Sequence, residues 1–107
     1  MIIDIHTHTF PDALAKRAIA QLSARAGVPA HTDGTCDGLR AAMARAGVAA
    51  SCVMPVATKP AQVRAINAWA AEVNARSADL VCFGVLFPGA EGWQAEIARL
   101  VADGIRG

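Results

Sequence analysis

The sequence predicts an α/β fold with a parallel sheet, because strand-like apolar segments alternate with helical segments along the chain. Three segments have the character of strands: residues 2–8, 50–56 and 80–87. The third is an almost unbroken apolar run, which is typical of a strand covered on both faces. Helical patterns fill the intervals, so the strands are expected to be joined by crossover connections and to run parallel.

Four helices are predicted from apolar spacing and from glycine or proline at their ends. They cover residues 11–25, 35–45, 60–75 and 93–103. Thr35 and Asp37 are alternative N-caps of the second helix. The predicted buried faces include Leu14, Ala18 and Leu22 in the first helix and Trp93, Ile97, Leu100 and Val101 in the fourth. Residues 105–107 resemble the start of another strand.

Length and composition limit the classes of protein to consider. The 107 residues form one domain, 1–107, and a net charge of +1 without a basic cluster gives no support for nucleic-acid binding. No apolar run reaches the roughly 18 residues of a membrane span, and no signal peptide is evident, so a cytoplasmic protein is expected. Cys36, Cys52 and Cys82 lack a C-x-x-C pattern and are predicted to be reduced, Cys52 and Cys82 as core residues.

The segment from Asp4 to His8 carries the most chemical information. Side chains alternate along a strand, so Asp4, His6 and His8 are expected on one face, with Ile3 and Ile5 on the other to pack under helices. Imidazoles bind Zn²⁺ well, and a carboxylate behind an imidazole fixes its tautomer. The pattern therefore indicates a metal site, although two histidines on a strand are also common as ordinary surface or core residues.

Residues 3–11 (IDIHTHTFP) resemble the opening of the amidohydrolase superfamily, in particular its amidohydrolase 2 branch, which includes the aminocarboxymuconate-semialdehyde decarboxylase-like enzymes. The resemblance continues in order along the chain. Its landmarks are residues 33–35 (DGT), 38–39 (GL), 46–48 (AGV), 55–60 (PVATKP), 66–69 (INAW), 83–84 (FG) and 103–107 (DGIRG). Many members of this branch carry a histidine before proline where this chain has Phe87.

This resemblance implies a TIM-type (β/α)₈ barrel, of which this chain would supply the N-terminal βα units: about three strands with covering helices. Such barrels take about 250 residues, and several strand ends build the active site. His6 and His8 would be metal ligands, with Asp4 in a supporting position. The metal would be divalent, with Zn²⁺, which is common in such sites, as the expected ion. The catalytic residues are expected on strands outside this chain, so the fragment alone is predicted to be inactive.

The implied function is a metal-dependent hydrolase in which metal-activated water attacks a carbonyl-type small-molecule substrate. A decarboxylase of the same branch is an alternative. So are a PHP-type phosphoesterase, which also begins with Asp-x-His-x-His, and a small non-catalytic α/β binding module. TatD-type deoxyribonucleases share the His-x-His strand but fit the later landmarks less well. An unpaired apolar sheet edge predicts association, so a homo-oligomer is also considered.

Residues 30–35 form a polar loop that is a candidate substrate loop through His31, Asp33 and Thr35. In a barrel this loop could overhang the mouth. The same residues also suit simpler roles, since Asp-Gly-Thr is good turn and helix-capping chemistry and His31 could be a solvated loop residue.

Overall fold

The computed structural model describes residues 1–107 and confirms an α/β fold with one parallel sheet in the order β1-β2-β3. The strands are β1 (Ile2–Thr7), β2 (Val48–Val53) and β3 (Leu80–Cys82). The helices are α1 (Asp12–Ala26), α2 (Cys36–Ala46), α3 (Val63–Arg76) and α4 (Trp93–Ala102), and a short 3₁₀ turn (Pro60–Gln62) precedes α3. Each predicted helix is present to within a few residues.

The ends of α2 follow the predicted capping chemistry. Thr35 is the N-cap, and its Oγ1 accepts a hydrogen bond from the backbone N–H of Gly38 at 2.9 Å. Gly47 ends the helix with a left-handed backbone, φ 69°, which a glycine adopts without steric cost. Asp37, the alternative cap, instead pairs with Arg40 at 3.3 Å on the exposed side of the helix.

The core lies between the sheet and the helices that cover one of its faces. Its members are Leu39 and Met43 of α2, Ala70 of α3, Val53 of β2, Leu80 and Cys82 of β3, and Ile105. Burial raises the pKa of the Cys82 thiol to about 12, and the nearby Cys36 adds to the effect. Cys82 is therefore a protonated core residue, as predicted.

β3 is shorter than the predicted strand, and asparagine side chains of α3 bond the backbone at its last residue and just beyond it. The Cys82 N–H donates to Asn74 Oδ1 at 2.7 Å, and Asn74 Nδ2 donates to the Cys82 carbonyl at 2.9 Å. Asn67 bonds the N–H and carbonyl of Val85 in the same way, at 2.8 and 3.0 Å. A primary amide offers the same donor and acceptor as a peptide group, so these side chains stand in for a neighbouring strand.

The predicted further strand at residues 105–107 does not form a full strand, but these residues lie where its start was expected. The Gly84 N–H donates to the Gly107 carbonyl at 2.8 Å, and Ile105 is buried in the core. These residues therefore run beside the chain that follows β3, although the pairing is too short to count as a strand.

The predicted buried face of α1 is only partly confirmed. Ala18 and Leu22 are partly buried, but Leu14 is 46 % exposed, and Ala15 is the fully buried residue of this helix. The Ile19 side chain lies so close to Gly34 that a Cβ atom added at position 34 would collide with it. The contact with the 30–35 loop therefore turns α1 so that Ala15 and Ile19 face the protein.

The predicted buried face of α4 is largely wrong, because a polar network anchors this helix. Glu96 is buried, and its carboxylate accepts from Asn67 Nδ2 at 2.8 Å and from the Arg99 guanidinium at 2.7 Å. With Glu96 turned inward, three apolar residues are turned to solvent: Trp93, Ile97 and Val101. Only Leu100 of the predicted set packs against the core.

Replacing Asn74 by alanine should destabilise the fold by about 1–3 kcal/mol, because the peptide groups of Cys82 lose both partners in a part-buried setting. Urea denaturation measures the change. The matched control is Arg76→Ala, two residues along α3, which removes an exposed ion pair with Glu72 and should change the stability by no more than about 0.5 kcal/mol. Equal effects of the two substitutions would contradict this role for Asn74.

The Glu96 network should make stability depend on acid pH. The hydrogen bond from Asn67 Nδ2, followed by that from Arg99, holds the pKa of Glu96 below its ordinary value of 4.5, against an opposing effect of burial. A depressed carboxyl pKa stabilises the folded state above the unfolded value, and this contribution is lost as the pH falls below about 4.5. Glu96→Gln should therefore lower the free energy of unfolding at pH 7. On acidification, that free energy should fall less in the variant than in the wild type, as measured by urea denaturation at each pH. An unchanged pH dependence in the variant would contradict the prediction.

Candidate metal centre

The predicted metal motif lies at the carboxyl end of β1, where the strand is irregular. Asp4 pairs with Ser51 and Thr7 pairs with Val53, so β1 takes three residue steps where β2 takes two. The extra residue interrupts the simple alternation of side chains. The regular alternation expected from Asp4 to His8 therefore does not hold across this segment.

The isoleucines of β1 are not covered by helices. Ile3 is 51 % exposed and Ile5 is 72 % exposed, which corrects the expectation that they pack under helices. β1 pairs only with β2, so its other edge is open within this chain. The strand that carries the motif is consequently the most exposed part of the sheet.

The two histidine side chains nevertheless converge. Their Nε2 atoms are 3.2 Å apart, and the rings meet edge-to-face with centroids separated by 5.0 Å. Two imidazole nitrogens bound to one tetrahedral Zn²⁺ at about 2.0–2.1 Å would be about 3.3–3.4 Å apart. The observed separation is close to that of two imidazoles bound to the same ion. It also matches a direct hydrogen bond between the rings, which requires one Nε2 to carry a proton.

The backbone just after β2 fixes the tautomer of His8. His8 Nδ1 is 2.7 Å from the carbonyl oxygen of Met54. A carbonyl only accepts, so Nδ1 must carry the proton, and the neutral ring then presents the lone pair of Nε2 toward His6. A metal-ligating imidazole usually donates its other N–H to a carbonyl or carboxylate in this way.

The supporting group is therefore the carbonyl of Met54, the residue that follows β2, which sequence reasoning missed. The available signal was the parallel sheet itself, because the carboxyl ends of adjacent parallel strands meet at one edge. Asp4 supports the motif differently: its Oδ1 accepts the backbone N–H of His6 at 3.0 Å. It fixes the backbone beside the histidines, and its hydrogen bond goes to no imidazole.

No third His, Cys, Asp or Glu side chain joins this pair, and no group of three or more such side chains elsewhere is placed to hold a metal ion. Thr7, which lies between the histidines, donates from Oγ1 to the Cys52 carbonyl at 2.8 Å and ties β1 to β2. The site therefore offers two imidazole ligands on a strand end that is held from one side by β2.

The residues of the candidate substrate loop are occupied with local structure. Asp33 Oδ1 accepts the backbone N–H of Thr35 at 2.9 Å and its hydroxyl at 2.7 Å, and these bonds lower the pKa of Asp33. Thr35 in turn caps α2, while His31 is exposed and stands outside the histidine pair. The geometry thus gives Asp33 and Thr35 the turn and capping roles, and a substrate role for this loop stays a prediction.

Comparison with known proteins gives no relative from which a function could be transferred. No protein-family model, no curated protein and no solved structure matches the chain. None of the helices has the length and apolar character needed to cross a membrane. Function is therefore inferred from the geometry of the histidine pair and from the motif that carries it.

The structure predicts that neutral His8 is protonated at Nδ1, because its partner, the Met54 carbonyl, can only accept. Long-range ¹H–¹⁵N NMR spectra at alkaline pH distinguish the two tautomers. His31, which is exposed, is the internal control and should show the Nε2-protonated tautomer that predominates for free imidazole side chains. An Nε2-protonated His8 would show that the Met54 contact does not form in solution.

Proposed function

We propose that this chain is part of a metal-dependent hydrolase of the amidohydrolase type, in which His6 and His8 bind a divalent metal ion, most readily Zn²⁺. One observation carries the proposal: the Nε2 atoms converge to 3.2 Å while the Met54 carbonyl holds the far side of His8. When both Nε2 atoms are unprotonated, this arrangement provides two nitrogen lone pairs at the spacing of a shared ion. Small-molecule substrates with a carbonyl-type centre would be the substrate class.

The residues of this chain have binding and orienting roles. A bound divalent ion would supply Lewis acidity and an activated water. His8 is oriented by Met54, and the Thr7 hydroxyl bond to the Cys52 carbonyl holds β1 against β2. Asp4 holds the His6 backbone. Two imidazoles do not complete a metal site, and the Asp4 carboxylate bonds the His6 backbone, so the further ligands and the catalytic residues are assigned to strands outside this chain.

The barrel architecture belongs to this proposal. Three features support it: consecutive strands are neighbours in the sheet, α2 and α3 share one core on the same face, and the Gly107 carbonyl bonds beside the end of β3. A (β/α)₈ barrel has the same sequential strand order with its helices outside. In such a barrel another strand would pair with the open edge of β1, and further helices would cover its exposed isoleucines.

Zinc binding tests the proposal on the 107-residue chain. The wild type should bind one Zn²⁺ in competition with a chromophoric chelator, and His6→Ala and His8→Ala should each weaken the affinity by at least about tenfold, which is about 1.4 kcal/mol. His31→Ala is the matched control, since it removes the only other histidine and should change nothing. His6→Ala is the cleaner variant, because the ring of His6 bonds no group of the protein except His8.

Two results would overturn the assignment. Zinc affinity that survives both substitutions would place the metal on other groups, such as the half-buried Cys36 and Cys52. An equal loss in His31→Ala would indicate nonspecific binding. Hydrolysis of an activated ester by the isolated chain is expected to stay at the level of His6→Ala, and a higher rate would contradict the assignment of catalytic residues to other strands.

A further inference from the structure

A cavity of about 340 Å³ lies between α1 and α3, next to the histidine pair. It begins at Thr9, which follows His8, and at Pro55, which follows Met54. Small-molecule sites have volumes from about 300 to 1,000 Å³, and α/β folds bind ligands beyond the carboxyl ends of their parallel strands. The cavity has both the size and the location of a ligand site.

The walls of the cavity are mainly apolar. The apolar wall residues of the two helices are Leu14, Ala18 and Leu22 of α1 and Ala65, Ile66 and Trp69 of α3. The backbone of α1 does not pack closely on any strand or other helix, and Ala15 and Ile19 contact the protein on a neighbouring face of the helix. The apolar face of α1 therefore borders an open space instead of protein, and a ligand with an apolar body would remove that face from water.

The polar part of the cavity is positively charged. Arg17, Gln21 and Arg25 recur every four residues along α1 and all line the cavity, so they form one row on the helix. No aspartate or glutamate lines it. Neither arginine takes part in an ion pair or a side-chain hydrogen bond within the chain, in contrast to Arg40, Arg76 and Arg99. An unpaired guanidinium binds a carboxylate well, since its planar N–H groups match the two oxygens.

We propose that this cavity binds a small molecule with an apolar body and a single carboxylate group. The apolar body would lie between Leu14, Leu22 and Trp69, and the carboxylate would meet the arginine row at the rim. A mainly apolar wall with two cations matches one anionic group better than a polyanion such as a nucleotide. The site contains no histidine, so it stands independently of the proposed metal centre.

Trp69 provides a direct test. The protein has two tryptophans and no tyrosine, so Trp93→Phe leaves Trp69, a lining residue, as the single reporter. Decanoate, kept below its micelle concentration, should change the Trp69 emission saturably with a stoichiometry of one. Decanol, the neutral isostere, should bind at least about tenfold more weakly, which is about 1.4 kcal/mol, because it forms no ion pair with arginine. Decyltrimethylammonium should bind more weakly still.

Matched variants locate the charge. In the Trp93→Phe background, Arg17→Gln with Arg25→Gln should weaken decanoate binding by about tenfold and leave decanol binding unchanged. The control is Lys16→Gln with Arg45→Gln, which removes the same charge from exposed positions outside the cavity and should have no effect. Ala18→Phe, which fills the cavity, should abolish the binding of both ligands. Urea denaturation checks that each variant is folded.

Three results would overturn the proposal. An equal effect of the control pair and the arginine pair would mean nonspecific attraction to a positive surface. Decanol binding as tightly as decanoate would remove the role of the carboxylate. A dimer in analytical ultracentrifugation that persists at saturating decanoate, with Trp69 emission unchanged, would mean that a second copy of the chain covers the cavity.

Discussion

The pairing of β1 with β2 is the constraint on which the rest of the candidate site depends. Because the strands are parallel, their carboxyl ends lie side by side, and the Met54 carbonyl arrives opposite His8 Nδ1 at 2.7 Å. That single bond sets the tautomer of His8 and directs Nε2 toward His6. The other edge of β1 has no partner, so the histidine pair is held from one side only. The site is organised, yet it is open.

Helix α3 supports the other edge of the sheet, at β3, through its two asparagines. Asn74 and Asn67 bond the backbone at Cys82 and Val85, and Asn67 also donates to the buried Glu96 of α4. One helix therefore fixes the chain after β3 and the orientation of α4 together. An asparagine in a helix interior has weak helix propensity, so these residues are used for their side-chain bonds and not for helix stability.

The sequence predicted the elements better than the faces they bury. Strong local signals, such as the Thr35 cap and the Gly47 stop, depend on neighbouring residues only, and the structure contains both. The buried faces of α1 and α4 depend on tertiary contacts. Apolar residues at four-residue spacing place Leu14 and Trp93 on predicted buried faces. The spacing does not reveal that Ile19 contacts Gly34 or that Asn67 bonds Glu96. At the site, the histidines were evident from the motif, whereas the Met54 carbonyl has no residue-type signal, because every residue carries one.

The irregular β1 strand and the position of α1 together decide what this end of the molecule can do. The chain leaves His8, passes the fully buried Thr9 and enters α1 at Asp12, so only three residues separate the helix from the histidine pair. The Cys36 thiol at the start of α2 also donates to Thr9 Oγ1, at 3.5 Å. α1 has no packing partner across the cavity, hence its apolar face can be completed only by something that the chain itself does not supply. A ligand held there would lie next to the proposed metal ligands, while the groups that would bind it, arginines and apolar side chains, differ in kind from the imidazoles that would bind the metal.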